Sequence, residues 1–372
     1  MPAPRKAKLF RLHSLLLVAT VGDVKRVHIP DLPWEELHSP TKKFHSFCRN
    51  ISVALGGLRN TGPWGGGHPF DLQVRRIPPG AAVCPFHSHL AQWEMFVVQA
   101  GAGTVRTGEG TTAIKPGEVF FHPPGTPHQL INSGATDLEV LIITDNPAVD
   151  GCFYPDSNKW ALRPPGKVFR IAEADYFDGE DTLPVSGVSG HKPAPPPAVA
   201  PTAPFAQRKL HPDDLPWEPW ESPKKKFRGT DKELSIALGA KRNTPTGLSG
   251  DGCASPGGHP FDLELGKLAP GECGCPFHSH AAQWELYVFL AGTASVRTMA
   301  GTALAHAGDV VLHPPGEAHQ FTNTGSDDLL YYLVADNPPV DYWFYPDSKK
   351  WGFRSPRRFF RATDTDYWDG EE

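Results

Sequence analysis

The chain has no apolar run near the roughly 20 residues that a membrane-crossing helix requires. It also lacks an excess of positive charge. Its 36 Lys and Arg stand against 41 Asp and Glu, a net charge of −5 that argues against nucleic acid as a partner. The local cluster Lys224–Lys226 reads as a solvated face. Cysteines are few: 48, 84, 152, 253, 273 and 275. Only Cys84 and Cys275 fall at matching places in the repeat described below, so no shared disulfide framework is expected. Reduced thiols and a cytoplasmic location fit this usage; the pair Cys273 and Cys275 reads first as two ordinary reduced thiols, with redox activity the lesser alternative. Helical periodicity is hard to find. What the chain does have is 37 Gly and 40 Pro, which break it into short apolar runs and turns.

The first residues, "MPAPRKAKLFRLHSLLLVATV", have the basic start and short apolar run of a secretion signal. No clean small-x-small cleavage site follows, and an N-terminal extension, residues 1–26, is the expectation.

The strongest organisational signal is duplication. "DLPWEELHSPTKKF" from Asp31 returns as "DLPWEPWESPKKKF" from Asp214, and "SVALGGLRN" from Ser52 as "SIALGAKRN" from Ser235. The offset changes at "HPFDL" (His68 and His259), which marks an insertion within "TPTGLSGDGCASPGG" of the second copy. Two units of one-domain length are predicted, residues 27–181 and 209–372. The proline- and alanine-rich stretch between them, residues 182–208, reads as an extended, solvated linker. Within each unit, runs such as "EMFVVQAG" and "DLEVLIITDNP" point to a sandwich or small barrel of short strands.

"CPFHSHLAQWE" (84–94) and "CPFHSHAAQWE" (275–285) carry the chemistry. Residues two apart on a strand share a face, so His87 and His89 present both imidazoles to one side. Glu94 has the wrong parity for the same strand, which requires a turn near Leu90–Gln92 and puts Glu94, Phe96 and Val98 together on the next strand. A Pro-Pro-Gly turn in "GEVFFHPPGTPHQLIN" then brings His128 to the start of a further strand. The second unit repeats this with His278, His280, Glu285 and His319. Three imidazoles and a carboxylate suit Fe, Mn, Ni, Co, Cu or Zn, and suit Ca or Mg poorly. One such divalent ion is expected in each unit, with coordination positions left for a guest.

These spacings resemble the cupin superfamily. Gly117, Pro123, Gly125, His128 and Asn132 match its second signature motif, and His87, His89, Glu94 and Gly101 its first, with Gly80 one residue further out than usual. The second unit matches with Gly271, His278, His280, Glu285, Gly292, Gly308, Pro314, Gly316, His319 and Asn323. "DNPAVDGCFYPDSNKW" and "DNPPVDYWFYPDSKKW" resemble the Tyr-Pro-Asp-Ser tail of a group of small cupins.

The resemblance implies an all-β bicupin: two tandem jelly-roll β-barrels, each with a metal held by its three histidines and one glutamate. It also implies a metal-dependent enzyme of dioxygenase or decarboxylase type, acting on a small organic acid or enol. A sugar isomerase or epimerase, and a non-enzymatic metal-dependent binding module, stay open beside it. The ligand expected is small and either anionic or oxygen-chelating, with no nucleic acid and no membrane as partner. Edge strands could be sheltered between the two domains or in a homodimer.

Lower in rank are Gln92 and Gln283, placed to reach a metal-bound water, and Phe96 and its counterpart Tyr287, which change the pocket wall. Arg106 and Arg297 read as solvated. His122 and His313 have a parity the spacing leaves open.

Overall fold

The computed structural model describes residues 24–172, 176, 203–243, 258–354 and 357–371. Residues 1–23, most of the linker and most of the second unit's insertion lie outside them. No described helix is long and apolar enough to cross a membrane.

Alternating residues decide how the strands stack. In the strand Glu94–Ala100, Met95 and Val97 join one buried cluster, and Phe96 and Val98 join another on the opposite face. That strand lies inside a seven-stranded antiparallel sheet. Its order is Lys209–Leu210, Val119–His122, Glu94–Ala100, Leu138–Asp145, Phe70–Ile77, His45–Asn50 and Glu35–His38. The inner face of the sheet packs on a three-stranded sheet through Val105, Ile114 and Leu130. A four-stranded sheet carries Ser88–His89 and the tail strands. The second unit repeats all three sheets.

The expected jelly-roll β-barrels do not form. Every described sheet is open, running from one edge strand to another. The reason lies in the edges. Lys209–Leu210 leads the second unit but pairs with Val119–His122 of the first. Lys25–His28 leads the first unit but pairs with Asp309–His313 of the second. Each large sheet thus has the backbone groups along one flank satisfied by a strand from the other unit, and closure on itself is not needed to shelter that flank. The edge-strand exchange left open by the sequence is therefore met within one chain.

The outer faces of the two large sheets pack on each other. Leu72, Val97, Phe121 and Leu141 from one unit share a single buried cluster with Leu263, Leu286, Val288 and Leu312 from the other. Each such side chain contributes roughly 1.5–3 kcal/mol on burial. His68 sits against Trp284 with ring centroids 5.2 Å apart, and His259 against Trp93 at 4.8 Å. Burial lowers both imidazoles to about 4, with Lys25 adding to the push on His68.

The exchange also involves residues just before Lys209. Phe205 is buried in the first unit's core. Arg208, 3% exposed, donates to the Phe121 carbonyl at 3.0 Å. Val24, ahead of the other exchanged strand, is buried in the second unit.

Candidate metal centre

The backbone brings the histidines together. His87 and His128 face each other across an isolated antiparallel bridge, each N–H donating to the other's carbonyl at 3.1 and 2.8 Å. His278 and His319 pair the same way. The Pro-Pro-Gly turn is tied to the first histidine strand by Gly125, whose N–H donates to the His89 carbonyl at 2.7 Å. Its φ of +79° is a backbone conformation glycine adopts at no steric cost. Glu94 starts the next strand after an irregular stretch through Leu90–Trp93, as its parity requires.

In the first unit, Glu94 Oε2 is 2.6 Å from His128 Nε2, 3.8 Å from His87 Nε2 and 3.9 Å from His89 Nε2. All four residues are largely buried. Each imidazole spends its Nδ1 on an acceptor: the Pro85 carbonyl for His87, Asp150 for His89 and the Thr126 carbonyl for His128. That fixes the tautomer and turns the Nε2 lone pairs inward. Burial works against the Glu94 charge, yet His128, His89 and His87 hold its carboxyl well below the usual carboxylate range.

The second unit follows the same plan. Glu285 is 2.7 Å from His319 Nε2 and 3.4 Å from His280 Nε2, while His278 and His280 ring centroids are 5.0 Å apart. His278 Nδ1 meets the Pro276 carbonyl and His280 Nδ1 meets Asp341. Burial opposes the charged form of His280, but Glu285 and Asp341 prevail and raise it to about 9. A cluster that attracts a proton this strongly has the electrostatics to attract a cation. Each unit therefore holds a His/Glu cluster able to coordinate a divalent metal ion: His87, Glu94 and His128 in one, His278, His280 and Glu285 in the other. The donor set fits a borderline transition ion.

Sequence reasoning missed Asp150 and Asp341. Asp150 accepts from His89 at 2.6 Å and from the Ala91 and Gln92 N–H groups. Asp341 does the same for His280, Ala282 and Gln283. The signal was present, because both lie in the repeated tail segments and differ in no copy. Tyr154 and Tyr345, from the same tails, stack on His87 and His278 with centroids 6.2 and 6.0 Å apart.

Cys152 was also missed. It pairs across the sheet with His89 and gathers with His87 and His89. Burial raises its thiol to about 12. Its counterpart is Trp343, edge-on to His280.

The lower-ranked residues fall as follows. The Gln92 and Gln283 amides donate to the Asp145 and Asp336 carbonyls at 2.7 and 2.6 Å, bracing the turn before each glutamate. Phe96 lies edge-on to His128, and Tyr287 donates to Glu285 Oε2 at 2.9 Å. His122 and His313 stack behind His128 and His319 at 3.9 and 4.0 Å. Arg106 and Arg297 form exposed bidentate pairs with Asp156 and Asp347. The five described cysteines, 48, 84, 152, 273 and 275, are free. Cys253 lies outside the described residues.

Residues 73–144 and 264–335 each match the family described as Cupin domain. An oxalate-binding protein of Thermotoga maritima is 34% identical over 68 residues, 18% of this chain, and the match spans only 55% of that relative. Auxin-binding protein 1 of Arabidopsis thaliana is 28% identical over 160 residues, 41% of this chain and 71% of that protein. Among solved structures, the Lactobacillus farciminis oxalate decarboxylase formate complex overlaps 87% of this chain and 88% of its own, at 17% identity and a TM-score of 0.47. A Bacillus subtilis oxalate decarboxylase variant overlaps 87% and 79%, at 16% identity and 0.47.

Proposed function

Because the chain belongs to the cupin superfamily, with one cupin domain in each half, we propose that it is a metal-dependent enzyme acting on a small organic acid or enol. Decarboxylase or dioxygenase chemistry is the reaction type favoured, by analogy within the fold. The proposed ligands are His87, His89, Glu94 and His128 in the unit 27–181, and His278, His280, Glu285 and His319 in the unit 209–372.

One observation carries the reading: in both halves the Nδ1 atoms are tied to acceptors while Nε2 atoms and a carboxylate converge. His280 Nε2 is buried and, among the described residues, has no hydrogen-bond partner, which suits a cation-binding role. A bound transition ion would supply Lewis acidity or a redox couple for the bound acid. The chain's own residues bind and orient. Asp150 and Asp341 hold His89 and His280 in one tautomer. Tyr287 keeps the Glu285 carboxylate in place, and Phe96 gives the first site an apolar wall.

The test combines elemental analysis after anaerobic purification with oxygen uptake and CO₂ release on organic acids, enols and β-diketones. Stoichiometric metal and turnover of one such compound are expected. Metal-replete protein that turns over none of them would overturn the enzymatic reading. A second reading has its own support, since both curated relatives are named as binding proteins. On that reading oxalate or another small carboxylic acid binds the metal-loaded chain without being converted.

A further inference from the structure

The two halves differ beside the metal cluster, on the inner face of the large sheet. In the second half a cavity of about 1000 Å³ reaches from His278, His280 and Glu285 to Asp231, Glu233 and Glu264. The ligating oxygens of those three acids lie within 4.8 Å of one another. Six carboxylates line this cavity against three guanidiniums, so its wall carries an excess of negative charge before any cation binds. Arg242 offsets part of it, 2.6 Å from Glu233 and 3.5 Å from Glu264. Asp231 is only 8% exposed, and burial raises its carboxyl while the Arg242 charge opposes the rise. Burial, then Asp231 and Glu233, push Glu264 up to about 8, as expected of carboxylates crowded without enough counter-charge.

A second group points into the same space. Tyr331 is 5% exposed and lines the cavity, and its hydroxyl has no hydrogen-bond partner among the described residues. Buried phenols ordinarily find one. Its ring lies over Gly266, where a Cβ would come within 2.3 Å of the hydroxyl.

The first half shows what is missing. In the matching register, Cys48 stands opposite Arg75 where Asp231 stands opposite Gly266. Asn50 and Gln73 replace Glu233 and Glu264, and Val140 replaces Tyr331. Arg75 bonds Gln73 at 3.1 Å and Ser46 at 3.0 Å. The first half therefore carries its own cation at this place and no carboxylate trio. The second half has the carboxylates and no built-in cation at the glycine position.

We propose that the second half's cavity binds a small molecule bearing a protonated amine. Its ammonium sits among Asp231, Glu233, Glu264 and the Tyr331 hydroxyl, and its oxygen end faces the His278–His280–Glu285 cluster. The first half takes the anionic ligands. This rests on reading the His/Glu clusters as metal-dependent ligand sites. A compact ammonium with several N–H donors matches three carboxylates and a phenol oxygen, whereas a dianion meets repulsion there.

The experiment is calorimetric titration of the metal-loaded full chain with matched pairs in which an ammonium replaces one carboxylate. The pairs are glycine and malonate, β-alanine and succinate, and γ-aminobutyrate and glutarate. One amine of the series should bind at one site per chain. Its affinity should fall by about tenfold or more in Asp231→Asn/Glu264→Gln, with dicarboxylate binding kept, and stay unchanged in Gln73→Ala. Circular dichroism and metal content confirm that each variant is folded and loaded. Amine binding indifferent to the Asp231→Asn/Glu264→Gln change would overturn the proposal. So would dicarboxylates binding while no amine does, or an additional metal ion per chain that this double variant releases. If neither class binds, the ligand-site reading itself fails and takes the proposal with it.

Discussion

Glu94 and Glu285 occupy the same place in the two halves, but they are held differently. Glu94 Oε2 lies 2.6 Å from His128 Nε2, while Glu285 Oε2 lies 2.7 Å from His319 Nε2 and also accepts a hydrogen bond from the Tyr287 hydroxyl. Behind His128 stands His122, backed in turn by Phe205 and Arg208 from the other half's leading segment. Behind His319 stands His313, bonded to Glu317 of its own half at 2.7 Å. Beside the first histidines lies a thiol, Cys152; beside the second, the indole of Trp343. Duplication thus kept the inner four residues, with the aspartates and tyrosines of the tails, and changed part of what surrounds them. The difference teaches that similar donor sets can sit in sites with different wall charge, different polar contacts and different access to sulfur.

The largest test of this comparison removes one donor set at a time. His87→Ala and His278→Ala should each halve the metal bound per chain, as read by elemental analysis of the folded variant. If either one empties both halves, the sites are not independent. Next come the interface histidines. Burial lowers His68 and His259 from 6.5 to about 4, so the folded state favours the neutral ring. The stability this contributes is complete above the unfolded value and is lost as pH falls from 6.5 towards 4, reaching about 3 kcal/mol for each ring. Denaturation midpoints should therefore drop between neutral pH and about pH 5. His68→Phe and His259→Phe should each flatten that dependence.

Asp150→Asn and Asp341→Asn then probe the orienting carboxylates. Each should weaken metal binding in its own half by about 10- to 100-fold, measured by competition with a chelator. A much larger loss at one of them would show that one half depends more heavily on its tail. The smallest effect belongs to Arg106→Ala and Arg297→Ala. These pairs are exposed, and each change should alter stability by about 1 kcal/mol or less, read from urea midpoints.

The inner four residues were legible because strand parity and a repeated spacing suffice to bring His87, His89 and His128 near Glu94. Asp150 was not, because it reaches His89 from 61 positions away along a tail whose path no local pattern gives. The open sheets escaped for a related reason. Whether a sheet closes depends on what reaches its edge, and here that is Lys209–Leu210 or Lys25–His28 from the opposite half. The carboxylate trio was hidden too. Asp231 and Glu233 flank Lys232 on one strand, Glu264 sits between Leu263 and Leu265 on the next, and all three read as ordinary surface acids until the strands are paired. Cys152 looked like an unmatched thiol, and only its register against His89 reveals its neighbours.

The first half is not complete when its own residues have been made. As the polypeptide leaves the ribosome, the first half presents a bare flank along Val119–His122 until Phe205, Arg208 and Lys209–Leu210 have emerged to cover it. Protein synthesis thus builds in a waiting period for the first half. Afterwards, severing the backbone anywhere between 177 and 202 would leave two fragments clasped by each other's leading ends.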